Sequence, residues 1–285
     1  MLFVQDQYCY LVKDLSSVES FTVQLFENQE CQLTLNRSVA GKDCVIVGSL
    51  TAAFEQQLSL LQLCHVLKKS GATKIILFSP YLGYQRQDKI KIDCLQGLVW
   101  ADAMLKASGV DVVQTIEPHH QQSLTTLQIP VFAHSAQFLF QKAMARFVDA
   151  GFGFVFPDAG ARARYVWIQE LFPQTAQGVF MKHRMHGMVQ LQGFSGKIGR
   201  KVIVYDDILD SGTTLVQVCI ALRQLGVEEI VIFVTHAFFH GSAWCDLWSL
   251  GVKALYCSNS LPAADQIEHP RIHVQSIQEI LKKSI

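Results

Sequence analysis

The 285-residue chain has no surplus of charge of either sign, since 24 Lys and Arg offset 24 Asp and Glu. That balance excludes a surface dedicated to nucleic acid, whose electrostatic footprint is basic, while leaving room for a local cationic pocket. Charge is also sparse, at 17% of residues. A membrane-spanning run is missing: the longest stretch without formal charge, 118–141, is broken by Pro118 and Pro130 and studded with Gln and His. No two of the eight cysteines stand in C-x-x-C spacing, so a zinc ribbon or disulfide scaffold is not expected. They read as reduced, mostly buried thiols in a reducing compartment. The start has no basic region and meets Asp6 early, so no secretory signal is expected and the localisation reads as cytoplasmic. Phosphate and hydrolase signatures are lacking as well. There is no G-x-x-x-x-G-K-[ST], no H-E-x-x-H and no nucleophile elbow, and Gly151-Phe-Gly153 lacks the third glycine of a dinucleotide loop. No Pro/Gly/Ser-rich linker, short repeat or low-complexity tract divides the chain.

Apolar residues are abundant, at 50% with a mean hydropathy of +0.22, which is ample for a sizeable core. Short β-branched or aromatic runs alternate with longer segments of helical period. Strands are expected over 44–48, 75–79, 112–116, 153–156, 202–206, 230–235 and 254–257, and helices over 54–69, 95–108, 136–150 and 213–225. The strand runs are continuously hydrophobic, as in parallel sheets covered on both faces. The expectation is therefore an α/β fold of parallel sheets flanked by helices. The alternation occurs twice, predicting two similar tandem domains over about 1–145 and 146–285. The aromatic stretch 236–248 reads as core rather than interface.

The strongest local signal is Val202-Ile-Val-Tyr-Asp-Asp-Ile-Leu-Asp-Ser-Gly-Thr-Thr214. A hydrophobic strand runs into Asp206 and Asp207, followed by a short loop of Asp210, Ser211 and Gly212 and a helix that starts at Thr213 and Thr214. In open α/β sheets ligands bind beyond the carboxyl ends of the strands. Gly212 permits close backbone approach, and the helix start with its hydroxyls offers a phosphate cradle. The adjacent acids suit sugar hydroxyls or a divalent cation. An acid-capped turn accounts for the same residue types.

Two further segments follow predicted strands. Pro80-Tyr-x-x-Tyr-x-Arg-Gln-Asp88 can supply a guanidinium for phosphate and an amide for a purine edge. In Thr115-Ile-Glu-Pro-His-His120 the adjacent histidines point different ways, so they form no two-His metal site, but one can join carboxylates and water. Pro157-Asp-Ala-Gly160, Lys182-His-Arg184, Thr235-His236 and Asn259-Ser-Leu-Pro262 come later in the chain, and Phe26-Glu-Asn-Gln-Glu30 and Ser38-Val-Ala-Gly-Lys-Asp43 near its start. Residues 181–199, with Gly187, Gly193, Gly196 and Gly199, read as a mobile flap of the lid type.

In this order the motifs resemble those of the ribose-phosphate pyrophosphokinases, over nearly the whole chain. The 13-residue string resembles the phosphoribosyl-pyrophosphate (PRPP) signature that this family shares with type I phosphoribosyltransferases. The resemblance implies phosphoribosyltransferase-like domains and a transfer of diphosphate from Mg-ATP to ribose 5-phosphate, giving PRPP and AMP. It implies that Phe26, Asn28, Gln29, Glu30, Arg86 and Gln87 bind ATP and that His119 and Asp158 hold Mg²⁺. Lys182 and Arg184 would act on the transferred group, with Arg184 also at ribose 5-phosphate together with Asp206, Asp207, Asp210, Ser211, Gly212, Thr213 and Thr214. It also implies a homo-oligomer, dimeric or hexameric. Departures from the family pattern lie at Asn28-Gln29 for Asp-Gly, at Glu117-Pro118 for Asp-Leu, at Ala161 for Gly and over 91–96. The PRPP signature alone does not separate a synthetase from a PRPP-using phosphoribosyltransferase. The N-terminal half and Lys182-x-Arg184 favour the synthetase over that alternative. Retention of Lys182 and of the Asp206 loop speaks against a third reading, a non-catalytic synthetase-like subunit.

Overall fold

The computed structural model describes residues 1–15, 17–28, 30–51, 54–87, 96–185 and 188–285, with backbone alone at 182–185 and 188–192. The chain forms two compact units, one of residues 1–135 with 277–285 and one of residues 136–276.

The first unit is built on β1 (Leu2–Val4), β2 (Phe21–Leu25), β3 (Cys31–Leu35), β4 (Asp43–Val47), α1 (Phe54–Lys69), β5 (Lys74–Ser79), α2 (Gly97–Ala107), β6 (Val112–Ile116) and β7 (Val131–His134). Strands β1-β4-β5-β6-β7 form a parallel sheet in that order, while β2 and β3 pair antiparallel in a small sheet of their own. Helix α1 buries Leu60, Leu61, Leu63, Cys64 and Leu67 against β4 and β5 residues such as Cys44, Ile46, Ile75 and Leu77. Lys68 and Lys69 close its last turn, where cations suit the helix dipole.

The second unit contains α3 (Gln137–Asp149), β8 (Gly153–Phe156), α4 (Ala159–Arg164), α5 (Val166–Leu171), β9 (Gln177–Met185), β10 (Met188–Gly196), β11 (Lys201–Leu209), α6 (Thr213–Gln224), β12 (Glu229–Ala237), β13 (Val252–Ser258), α7 (Pro262–Gln266) and β14 (Ile272–Gln275). Its sheet runs β10-β9-β8-β11-β12-β13-β14, with only the β9/β10 pair antiparallel. The central strands β11 and β12 are buried almost throughout, which is why 202–205 and 230–234 read as unbroken apolar runs. Residues 238–248 pack Phe239, Trp244, Leu247 and Trp248 against this core. The last helix, α8 (Gln278–Lys282), returns to the first unit, where Gln278 Nε2 donates to Asp14 Oδ2 and Ser284 Oγ lies 3.3 Å from His134 Nε2.

The segment expected as a flap, 181–199, pairs regularly over most of its described length. These residues belong largely to the β9/β10 hairpin at the edge of the second sheet, and Gly187 lies outside the described residues. Glycine in a strand marks a bulge or a close approach, and both occur here. The register shifts between Leu191 and Gly193, and the Phe194 ring packs where Gly178 has no side chain. Among the described residues no helix is long and apolar enough to cross a membrane.

Candidate active site

In the second unit the site grows from the carboxyl end of β11. The strand expected over 202–206 begins at Lys201 and continues to Leu209, so both Asp206 and Asp207 lie within it, 8% and 3% exposed. Buried carboxylates require a partner, and Arg164 at the end of α4 supplies it. Its guanidinium lies 3.3 Å from Asp207 Oδ1 and 3.9 Å from Asp206 Oδ1. Burial works against the Arg164 charge, but Asp207, Tyr165 and Asp206 outweigh it and hold the guanidinium protonated beyond its ordinary range. Asp206 Oδ1 also accepts the Asp207 N–H at 3.0 Å. At the other end of α4, Asp158 Oδ1 caps the helix by accepting the Ala161 N–H at 2.7 Å. One short helix therefore carries an acid at its start and the cation for β11 at its end.

Beyond Leu209 the loop of Asp210, Ser211 and Gly212 leads into α6. Gly212 is the N-cap at φ +87° and brings no side-chain cap, while the Thr213 N–H donates to Ser211 Oγ at 3.5 Å. A Cβ at this position would meet the Cα and Cβ of Trp244 at 2.7 Å. Both backbone angle and space therefore demand glycine. Ser211 Oγ and Thr213 Oγ1 lie 2.9 Å apart. The first backbone N–H groups of a helix lack intrahelical acceptors, so this start, ringed by hydroxyls, can receive an anion. His240, from the segment after β12, places Nδ1 2.7 Å from Asp210 Oδ1.

In the first unit, β5 and β6 are neighbours and their following loops meet. Gln85, 2% exposed, accepts the His119 N–H on Oε1 at 2.7 Å. Because that backbone group is a donor, the facing amide atom is the oxygen. Among the described residues its Nε2, like Thr115 Oγ1, is buried without a hydrogen-bond partner. Arg86 and Gln87 follow as exposed side chains. Tyr84 (φ +62°) and Glu117 (φ +34°) hold left-handed backbone beside these groups, which is sparsely populated for such residues. Phe26, Asn28 and Glu30 sit on a different sheet, at the tip joining β2 to β3. There Asn28 Oδ1 accepts the Glu30 N–H at 3.1 Å, and the Phe26 N–H donates to Glu30 O at 2.8 Å. This gives Asn28 a turn-forming part.

Three expected site positions fall partly or wholly outside the described residues. Gln29 does entirely. Lys182 and Arg184 lie on β9, in register with Leu191 and Val189, but their side chains are not described. The structure thus gathers Asp206, Asp207 and 210–214 with the helix begun by Asp158 in one unit, and Arg86, Gln87 and His119 in the other. Sequence reasoning missed Arg164, Gln85 and His240. A signal for Arg164 was available, since two acids on a core strand demand a cation and Arg162 and Arg164 follow Asp158 closely.

Comparison with known proteins matches residues 12–109 to the N-terminal domain of ribose phosphate pyrophosphokinase and residues 167–243 to the phosphoribosyl transferase domain, together more than half of the chain. The ribose-phosphate pyrophosphokinases of Haemophilus ducreyi and Pasteurella multocida are each 28% identical over 277 residues. Those alignments cover 94% of this chain and 87% and 88% of the relatives. The chain belongs to the ribose-phosphate pyrophosphokinase family. The crystal structure of phosphoribosylpyrophosphate synthetase from Mycobacterium smegmatis shares the fold, with a TM-score of 0.86 at 24% identity over 100% of this chain and 96% of that one. Within the family frame, the transferase-domain match includes Lys182, Arg184 and the 206–214 segment. His119 and Asp158 fall between the two matched stretches.

Proposed function

We propose that the chain is a ribose-phosphate diphosphokinase that transfers diphosphate from Mg-ATP to the anomeric hydroxyl of ribose 5-phosphate. The observation that carries this reading is the cradle at 210–214, the start of α6 entered through left-handed Gly212 just past Asp206 and Asp207. The 5-phosphate occupies the helix start with the Ser211, Thr213 and Thr214 hydroxyls, while Asp206, Asp207 and Asp210 accept the sugar hydroxyls. The anomeric oxygen forms a bond to the β-phosphorus as the bond from that phosphorus to the α,β-bridging oxygen breaks. AMP leaves with the bridging oxygen, and the hydroxyl proton passes to solvent. Such transfers leave the protein mainly positioning and charge stabilisation. Lys182 and Arg184 on β9 serve the moving diphosphate, Arg184 as a fork that also reaches the sugar phosphate and Lys182 as a point charge. Arg86 and Gln87, with Phe26, Asn28, Gln29 and Glu30, take the nucleotide.

Mg²⁺ is bound through one or two carboxylates, waters and substrate phosphates rather than by an all-protein cage. The donor set fits that habit: no group of three or more His, Cys, Asp or Glu gathers among the described residues, and the resemblance assigns a single carboxylate, Asp158, alongside His119. When bound, the ion neutralises phosphate charge. The exposed Val23, Leu25 and Phe26 on the β2/β3 hairpin support a homo-oligomer, and the reduced thiols support a cytoplasmic setting. The test is AMP release from ATP and ribose 5-phosphate with Mg²⁺. Lys182→Ala is expected to depress kcat far more than ATP affinity. No AMP release under any phosphate or nucleotide condition, with PRPP consumed instead, would move the chain to the phosphoribosyltransferases. Activity only with a second synthetase chain would make it a subunit.

A further inference from the structure

The cradle is held from a second segment of the chain. Strand β12 ends at Ala237, and two residues on Phe239 adopts φ +53°. A bulky aromatic residue in that region is uncommon and persists only where its surroundings fix it, and such strain gathers at functional sites. Here the Phe239 ring packs edge-on against Trp244, with centroids 5.1 Å apart. The turn delivers His240 back to the loop before α6 and ties it twice. The His240 N–H donates to Asp210 O at 3.0 Å, and Nδ1 lies 2.7 Å from Asp210 Oδ1. The same segment brings the Trp244 backbone against Gly212, so it clasps the loop at both of its ends.

We propose that His240 is a positioning residue for Asp210 and so sets the hold of the cradle on ribose 5-phosphate. This rests on the function proposed above and adds a residue to it. Asp210 is a carboxylate, so Nδ1 bonds to it only as a donor, which fixes the tautomer of a neutral ring. The ring N–H therefore orients Asp210. Among the described residues a charged group against the ring is Asp210, from the β11–α6 loop, and a neighbour on its own segment is the Phe238 ring at 5.1 Å. The start of α6 brings the uncharged Ser211 and Thr213. Upstream on β11, Asp206 and Asp207 are engaged with Arg164. The His240 side chain is 67% exposed, so its replacement spares the core.

The experiment is calorimetric titration of the full chain with ribose 5-phosphate for wild type, His240→Ala and His240→Asn. Wild type is expected to bind about three- to tenfold tighter than His240→Ala, the size of one net hydrogen bond. His240→Asn, whose amide N–H replaces the ring donor, should regain at least half of that loss, a rescue that a merely structural role would not show. An unchanged Kd in His240→Ala, or His240→Asn binding no better than His240→Ala, overturns the proposal. If wild type itself binds no ribose 5-phosphate, the proposed function fails instead.

Discussion

Replacing Arg164 by methionine removes the cation between Asp206 and Asp207 while keeping most of the side-chain volume. At 3.3 Å and 3.9 Å, the two attractions are worth about 5 and about 4 kcal/mol at an effective dielectric constant of about 20. The cost of desolvating three charges offsets much of this sum. The expected loss follows instead from breaking this buried ion pair, about 3–5 kcal/mol. With the Arg164 side chain 19% exposed, the lower end applies, about 3 kcal/mol. For a unit of this size, that lowers the melting midpoint by about 6–12 °C. Differential scanning calorimetry of the Arg164→Met protein measures it. A second variant that also carries Asp206→Asn and Asp207→Asn should recover at least half the loss, because the charges that faced Arg164 are gone. A single variant melting within about 2 °C of wild type would refute the claim that Arg164 is what permits the two acids inside the sheet.

Two other outcomes are expected. Gly212→Ala places a Cβ 2.7 Å from the Trp244 Cα in a left-handed residue, a conformation costing an ordinary residue about 1–2 kcal/mol before any clash. Its ribose 5-phosphate affinity, read by calorimetry, should fall at least about tenfold, and an unchanged Kd would sink the cradle assignment. Burial pushes the thiols of Cys64, Cys219 and Cys257 up to about 12, so mass spectrometry after alkylation at neutral pH should find Cys9 and Cys245, which are exposed, modified first. Labelling of those three buried thiols at the same rate without denaturant would contradict the core packing.

Much of the sheet architecture was legible because buried parallel strands announce themselves. The runs at 112–116 and 153–156 coincide with β6 and β8, and the helix expected over 54–69 is α1. The β2/β3 hairpin escaped notice because its residues are mostly exposed or half-buried and its apolar positions alternate with polar ones too briefly. Residues 181–199 pair as a hairpin whose strands the glycine-rich composition did not announce, and Gly193 stands at a register shift there. The site was half readable. A motif announces the residues that meet a ligand, and so Asp206–Thr214 stood out. The groups that make those residues possible are single side chains brought in by tertiary structure. Gln85 under the His119 backbone and His240 on Asp210 carry no local pattern of their own, and Arg164 on α4 was signalled only by the need of two core acids for a cation.

The return of α8 to the first unit has a consequence for biosynthesis. A ribosome delivers residues 136–276 as one uninterrupted stretch, so the second unit has everything it needs as soon as it emerges. The first unit emerges earlier yet lacks residues 277–285 until the other has been made. Domains usually mature in the order of synthesis. Here the half that begins first is the last to be completed, and until then the surface around His134 and Asp14 that α8 and Ser284 cover stays open to chaperones and proteases.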